Sequence, residues 1–327
     1  MTQTEFLQDL EAFLQEWHNE SPTIGVHTSG STGMPKAMQV EKQRMMASAR
    51  LTCSFLGLKK GDTALLCMPL GYIAGKMVVV RSLVAGLRLI PIAPCGHPLQ
   101  GLKEAPSFAA MIPMQVYNSL QVPEERTLLK EIKQLIIGGG AIDEQLANAL
   151  KDFSNNVWST YGMTETLSHI ALRRLNGKEA SDWYTPFKNV RIRLSEEGTL
   201  VIHAPEVCAE ELITNDIAEI KEKGLFRILG RKDNIINSGG IKIQIEQVED
   251  RLKEYITSPF LITSAPDTKF GEIIVLLYEN EEEKTLRDIC KSALPSYWIP
   301  KQYVKIKELP LTETGKPDRA TARRMIK

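Results

Sequence analysis

Nine consecutive residues, Thr28-Ser29-Gly30-Ser31-Thr32-Gly33-Met34-Pro35-Lys36, place four hydroxyls, two glycines and a lysine directly after the apolar run Ile24 to Val26. Glycines let a backbone curl until several N–H groups converge on an anion, hydroxyls add donors, and a lysine adds positive charge. That combination suits phosphate. It is not the common nucleotide loop G-x-x-x-x-G-K-[ST], because Pro35 stands where the second glycine belongs and Ala37 where the hydroxyl belongs. Kinase and GTPase chemistry is thereby disfavoured, and a Ser/Gly-rich surface loop is the other reading of the string.

Three further strings have chemical potential. Gly138-Gly139-Gly140-Ala141 follows the apolar run Leu135 to Ile137, where missing side chains let a planar ring or a phosphate come close to the main chain. A plain tight turn from strand to helix reads the same way. Tyr161-Gly162-Met163-Thr164-Glu165-Thr166 offers an aromatic face, a glycine, two hydroxyls and a carboxylate just past a strand. Tyr161 can stack on a base, Thr164 can bond a phosphate, and Glu165 can hold Mg²⁺, which prefers oxygen ligands shared with phosphates. Thr164 as a helix N-cap is the structural alternative. Lys316, in Leu311-Thr312-Glu313-Thr314-Gly315-Lys316-Pro317-Asp318-Arg319, sits on a Gly/Pro-bearing loop. A lysine so placed can swing in to neutralise charge developing at a phosphate.

These strings, in this order over residues 28–319, resemble the signatures of the acyl-adenylate-forming (AMP-binding) superfamily. The resemblance implies that Thr28, Ser29, Gly30, Ser31, Thr32, Gly33 and Lys36 handle the phosphates of ATP. Gly138, Gly139, Gly140, Ala141, Tyr161 and Gly162 would then bound the adenine. It gives Thr164 the α-phosphate, Glu165 the magnesium ion, and Lys316 the catalytic charge. Thr214-Asn215-Asp216 lies where the superfamily has T-G-D, so Asp216 would hold the ribose hydroxyls; Asn215 departs from glycine but tolerates left-handed backbone. Gly230 to Gly240 resembles the segment that ends the large domain, which gives Arg231 a ribose or phosphate contact. By the same match Asp233 is the hinge, and Gly239 and Gly240 lie on the thiol's route. The implied reaction joins a small carboxylic acid to coenzyme A with MgATP, through an acyl-adenylate.

Met68-Pro69-Leu70-Gly71-Tyr72-Ile73-Ala74-Gly75, followed by Arg81-Ser82-Leu83, resembles the acid-binding region of the o-succinylbenzoate–CoA ligases of menaquinone biosynthesis. Tyr72 replaces their usual histidine and Ala74 a common serine. Arg81 falls where those enzymes have an arginine for the succinyl carboxylate. It lies on an otherwise apolar helical stretch, where a charge needs a partner: either the ligand or a protein carboxylate. Ser168 and His169 follow the Tyr161 string and can face the acid, and His169 can equally be structural. Another aryl- or acyl-CoA ligase, and a nucleotide-binding remnant without turnover, are the competing readings; retention of Glu165 and Lys316 speaks against the remnant.

Parallel-sheet geometry must position these groups. Apolar runs at 64–68, 87–93, 108–112 and 135–137 alternate with helical periodicity at 42–56, 73–85, 113–120 and 143–152. This predicts an α/β fold, a mainly parallel sheet with flanking helices and ligands at the strands' C-terminal ends. Val190 to Leu194 and Thr199 to His203 predict a small β unit over 188–230. Residues 231–327, with helices at 245–252 and 286–294 and strands at 260–264 and 273–278, predict a small α+β domain, by resemblance a mobile lid. Glu279 to Lys284 is a charge run expected to form a solvated turn. Residues 4–18 form an amphipathic helix with an acidic polar face. Family members usually carry a long N-terminal subdomain before the phosphate loop, so residues 1–230 read as a truncated large domain. The helix at 4–18 is then a candidate cover for an exposed sheet edge, and a compensating homodimer is compatible with that reading.

The chain has 327 residues, with 40 basic against 40 acidic side chains, which gives no reason to expect nucleic acid or a membrane surface as partner. Its five cysteines are scattered without a C-x-x-C pair, so reduced thiols and a cytoplasmic location are expected.

Overall fold

The computed structural model describes residues 1–27, 37–140, 142, 144–311 and 317–326. Helix α1 (Gln3–His18) is closed by a capping box between Thr2 and Glu5 and buries Phe6, Leu10 and Phe13. The hairpin β1 (Thr23–His27) and β2 (Ala37–Glu41) pairs as far as His27 and Ala37, so it brackets the Ser/Gly-rich string, which lies outside the described residues.

Next come α2 (Lys42–Leu56), β3 (Thr63–Leu66), α3 (Ile73–Ala85), β4 (Arg88–Pro91) and β5 (Phe108–Met111). They are followed by α4 (Pro113–Gln121), α5 (Pro123–Glu131), β6 (Gln134–Ile137), α6 (Glu144–Leu150), β7 (Asn156–Gly162), β8 (His169–Arg174) and β9 (Thr185–Pro186). The strands form one seven-stranded sheet in the order β4-β3-β5-β6-β7-β8-β9. From β4 to β7 the pairing is parallel, and β8 and β9 run antiparallel to close that side. Strands such as Phe108–Met111 are buried at every position, as a sheet covered on both faces requires. The expected α/β fold and its helices at 42–56 and 73–85 are present. Helix α5 was not anticipated; its start is set by Pro123 in the first turn, with Glu124 and Glu125 beside it.

Helix α1 packs into the core shared by α2, α3 and β1. Its Gln3 side chain clasps the free edge of the sheet. The amide nitrogen donates to the Pro91 carbonyl at 2.9 Å and the amide oxygen accepts from the Ala93 N–H at 2.7 Å. One side chain thus satisfies an edge donor and an edge acceptor that another strand would otherwise attract.

Strands β10 (Arg191–Leu194), β11 (Thr199–His203), β12 (Leu212–Ile220) and β13 (Phe226–Arg231) form an antiparallel four-stranded sheet. Its inner residues Leu200, Ile202, Ala218 and Phe226 belong to the same core as α1 to α3. After a single turn at Lys232–Asn234 come β14 (Ile235–Ser238), β15 (Ile241–Gln244), α7 (Ile245–Lys253), β16 (Phe260–Asp267), β17 (Gly271–Tyr278), α8 (Glu283–Ala293), β18 (Gln302–Lys305) and α9 (Arg319–Met325). These strands make a separate five-stranded sheet, whose cores draw only on residues from Ile236 onward. The charge run expected as a solvated turn is one only in part. Glu283 and Lys284 open α8, whose apolar residues Leu286 and Cys290 pull that first turn into helix.

Candidate active site

Two clusters of polar side chains gather around the end of β7. The first lies where β7 meets the four-stranded sheet. The Tyr161 hydroxyl donates to Asp216 Oδ2 at 2.6 Å, and Arg231 reaches Asp216 Oδ1 at 3.1 Å. Arg231 also reaches Asp233 Oδ2 at 2.8 Å, and the same oxygen accepts from the Asn215 amide at 3.1 Å. Thr214 fixes the turn that presents Asp216 by accepting from its N–H and donating to the Leu200 carbonyl. The Tyr161 ring packs edge-on against Phe226 and beside Tyr184. Burial, with Asp216 adding to it, pushes the Tyr161 phenol well above its usual range. It is therefore a donor at any physiological pH. Burial pulls the Arg231 guanidinium down, but its bonds to Asp233 and Asp216 outweigh that and leave it raised.

Thus Tyr161, Asp216, Arg231 and Asp233, distant in sequence, form one hydrogen-bonded group. Among the described residues each Asp216 oxygen accepts one hydrogen bond, which leaves each a second lone pair. Asn215, at the position where glycine is the commoner residue, is engaged with Asp233.

Gly162 sits where β7 crosses the start of β8. A Cβ there would lie 2.2 Å from the Ser168 carbonyl oxygen, closer than any side chain tolerates. The turn that follows, Thr164–Thr166, is capped by Thr166. Its hydroxyl accepts from the Met163 N–H at 3.0 Å and lies 2.7 Å from the Ser168 carbonyl. The capping alternative raised for Thr164 thus belongs to Thr166. Thr164 itself is buried, and Glu165 is exposed at the strand's C-terminal end. Gly138 passes so close to Thr160 of β7 that a Cβ would meet its hydroxyl at 2.4 Å. Gly239 and Gly240 take φ of +59° and +83° as the two-residue turn between β14 and β15. That geometry accounts for both glycines without any ligand.

The second cluster is buried between α2, α3 and β8. Arg81 is only 2 % exposed, and its Nη2 donates to Ser168 Oγ at 2.6 Å. The Ser168 hydroxyl lies 3.2 Å from His169 Nδ1, and His169 Nε2 lies 3.1 Å from Thr52 Oγ1. Thr52 in turn reaches the Ser48 carbonyl at 3.2 Å. Among the described residues no carboxylate pairs with Arg81, so the protein salt bridge that the sequence left open is not found among them. Its Nε is buried without a hydrogen-bond partner. Burial lowers the guanidinium to about 10, so it stays charged at neutral pH. Burial and then the Arg81 charge hold the His169 imidazole well below its usual 6.5.

The structure therefore brings Arg81, Ser168 and His169 together. Tyr72 stands at the N-cap of α3, roughly 13 Å along the helix axis from Arg81 at 1.5 Å per residue. Thr52 and Ser48 were not singled out from the sequence. Their signal was there: hydroxyls four residues apart on the helix face that also carries Met45, Ala49 and Leu56. Thr28 to Lys36, Ala141 and Lys316 lie outside the described residues, and Leu311 pairs with Pro317 across the segment that holds Lys316.

Among the described residues no helix is long and apolar enough to cross a membrane. The AMP-binding enzyme family model matches residues 3–212. A solved acyl-CoA synthetase (AMP-forming)/AMP-acid ligase II-like protein from Dyadobacter fermentans is 34 % identical, covering 97 % of this chain and 93 % of that one, with a TM-score of 0.67. The 2-succinylbenzoate–CoA ligase of Listeria monocytogenes is 25 % identical over 335 residues, which covers 94 % of this chain and 71 % of that protein. The structure of o-succinylbenzoate coenzyme A synthetase from Bacillus subtilis, in complex with ATP and magnesium ion, shares the fold. Its TM-score is 0.75 at 22 % identity, covering 90 % of this chain and 68 % of that one. With a family model spanning most of its length, the chain belongs to the AMP-binding enzyme family.

Proposed function

We propose that this chain is an AMP-forming acid–coenzyme A ligase whose acid is an aromatic dicarboxylate, o-succinylbenzoate. The observation that carries the choice of acid is Arg81: a charged side chain, 2 % exposed, with an orphaned Nε and no carboxylate partner among the described residues. An isolated buried charge costs several kcal/mol, and a substrate carboxylate seated against it would offset that cost. A monocarboxylic acid must present its one carboxylate to the α-phosphate and has nothing left for Arg81. Relatives named for 2-succinylbenzoate support the reading.

The first half-reaction joins a carboxylate oxygen of the acid to the α-phosphorus of ATP and breaks the bond to the pyrophosphate leaving group. Tyr161, Asp216 and Arg231 are assigned the adenosine, Asp216 accepting from the ribose hydroxyls with the lone pairs it keeps. Thr164 is assigned the α-phosphate, the 28–36 string and the 138–141 turn the phosphates and base, and Lys316 the charge developing between acid and phosphate. Magnesium suits the exposed Glu165. Mg²⁺ takes one or two carboxylates and completes its shell with phosphate and water, and among the described residues no cluster of three or more acidic, histidine or cysteine ligands competes for it. When bound, the ion screens phosphate charge.

In the second half-reaction the thiol of coenzyme A loses its proton, its sulfur bonds to the acyl carbon, and AMP leaves. Residues 231–327 are assigned as a lid that turns about Asp233, withdrawing Lys316 and opening the way past Gly239 and Gly240. The Asp233 side chain, held by Arg231 and Asn215, sits in the single turn joining the two sheets.

Arg81→Ala tests the assignment of the acid. It is expected to raise KM for o-succinylbenzoate at least tenfold more than KM for benzoate, the scale of one lost charge-assisted hydrogen bond. Equal changes with the two acids would make Arg81 structural.

A further inference from the structure

The hydrogen bonds around Arg81 can be given a direction, because guanidinium N–H groups only donate. Ser168 Oγ must accept from Arg81 Nη2, so the only hydrogen it can give is its own, and His169 Nδ1 lies 3.2 Å away. At the other end, Thr52 Oγ1 lies within reach of the Ser48 carbonyl, which only accepts, and of His169 Nε2.

One assignment satisfies every proton. Arg81 donates to Ser168, Ser168 to Nδ1 of a neutral His169, Nε2–H to Thr52, and Thr52 to the Ser48 carbonyl. The opposite tautomer leaves the Ser168 hydroxyl hydrogen with no acceptor named among the described residues and breaks the bond from Thr52 to Ser48. Neutrality of His169 agrees with its burial and with the adjacent Arg81 charge, both of which disfavour the protonated ring.

We propose that Thr52, His169 and Ser168 form a one-way relay from the backbone of α2 that fixes the plane of the Arg81 guanidinium, leaving its unpaired Nε to meet the distal carboxylate of the acid. This deepens the dicarboxylate reading and rests on it for the identity of the ligand, though not for the relay. Ser168 and His169 are then positioning residues, not contacts of the acid, and Thr52 is a specificity determinant set one helix behind the site. His169 packs edge-on against Phe187, and Thr52 is fully buried, so neither has another surface on which to work.

The relay is tested first without any substrate. Long-range ¹H–¹⁵N spectra of the ¹⁵N-histidine-labelled full chain, assigned by loss of one of five imidazoles in His169→Gln, report the tautomer directly. The relay requires a neutral His169 protonated on Nε2. A proton on Nδ1, or a charged ring at pH 7, would overturn it.

Thr52→Val then removes the acceptor while keeping the shape. The variant is expected to shift the tautomer balance and to raise KM for o-succinylbenzoate about tenfold more than for benzoate, with Thr52→Ser restoring both. Equal KM changes for the two acids, or no rescue by serine, would reduce Thr52 to packing. Should the wild type show the Nε2–H tautomer yet not turn over o-succinylbenzoate, the relay stands and the choice of acid fails.

Discussion

A buried arginine with no carboxylate partner among the described residues is expensive to keep, and the network around Arg81 shows how the cost is contained. Its Nη2 is bonded to a serine that is itself bonded to a histidine held neutral. That neutrality has a measurable consequence. In the unfolded chain the imidazole titrates near its usual 6.5, whereas in the folded protein it resists the proton. As pH falls below about 6.5 the unfolded state binds a proton that the folded state refuses, so stability drops by up to about 1.4 kcal/mol per pH unit. Chemical denaturation between pH 7 and pH 5 should show this slope, and His169→Gln should flatten it. Identical slopes in the two proteins would mean the imidazole is not held neutral. Gly162 offers a second prediction at this scale. A Cβ 2.2 Å from the Ser168 carbonyl forces the β7–β8 crossing apart, so Gly162→Ala should lower stability by about 1–3 kcal/mol and displace Ser168 from Arg81. Unchanged thermal stability would show that the strands move aside freely.

At the scale of elements, the segment that carries Lys316 is anchored on the side that the structure describes. Arg319, at the start of α9, forks onto both oxygens of Glu249 on α7 at 2.9 and 2.7 Å, and the first of those oxygens also accepts from the Ile262 N–H. The pair is mostly buried, so removing one partner leaves the other uncompensated. Arg319→Ala should destabilise the C-terminal unit by about 3 kcal/mol and detach α9, read as faster amide exchange over residues 260–264. Exchange rates equal to the wild type's would show that α9 is held by its apolar contacts alone.

Elements of this kind were unequally legible in the sequence. Helices α2 and α3 and strands β5 and β6 could be read because apolar residues recur at clean spacings and are bounded by glycine or proline. Strands β12 and β13 could not: Asp216, Glu219 and Arg227 interrupt their pattern, since one face of that sheet meets water. Helix α5 was hidden by a strongly polar composition, its buried residues being Glu125 and Leu129. For the candidate site, the strings at 161–166 and 230–240 contain Tyr161, Arg231 and Asp233, which the structure joins in one hydrogen-bonded group. The hydrogen bond from Tyr161 to Asp216 and the link from His169 to Thr52 depend on three-dimensional approach, which no spacing along the chain encodes.

Across the whole molecule, the proposed mechanism has the C-terminal unit move relative to the rest of the chain. The seven- and four-stranded sheets share a core, the five-stranded sheet has its own, and the turn at Lys232–Asn234 joins them. Under the proposed mechanism, such an arrangement would let the same chain complete an adenylation site and then dismantle it. Lys316→Ala should therefore cut adenylate formation by several kcal/mol of transition-state stabilisation while sparing thioester formation from supplied acyl-adenylate. Equal loss in both halves would remove the lysine from its assigned role.

Whether this chain joins o-succinylbenzoate to coenzyme A through an adenylate can be read by mass spectrometry. The purified protein is incubated with MgATP, coenzyme A and either o-succinylbenzoate or a panel of simple aromatic and fatty acids. The expected products are o-succinylbenzoyl-CoA and AMP, in clear preference to any monocarboxylic product. A thioester formed preferentially from another acid, or no AMP with any acid, would contradict it.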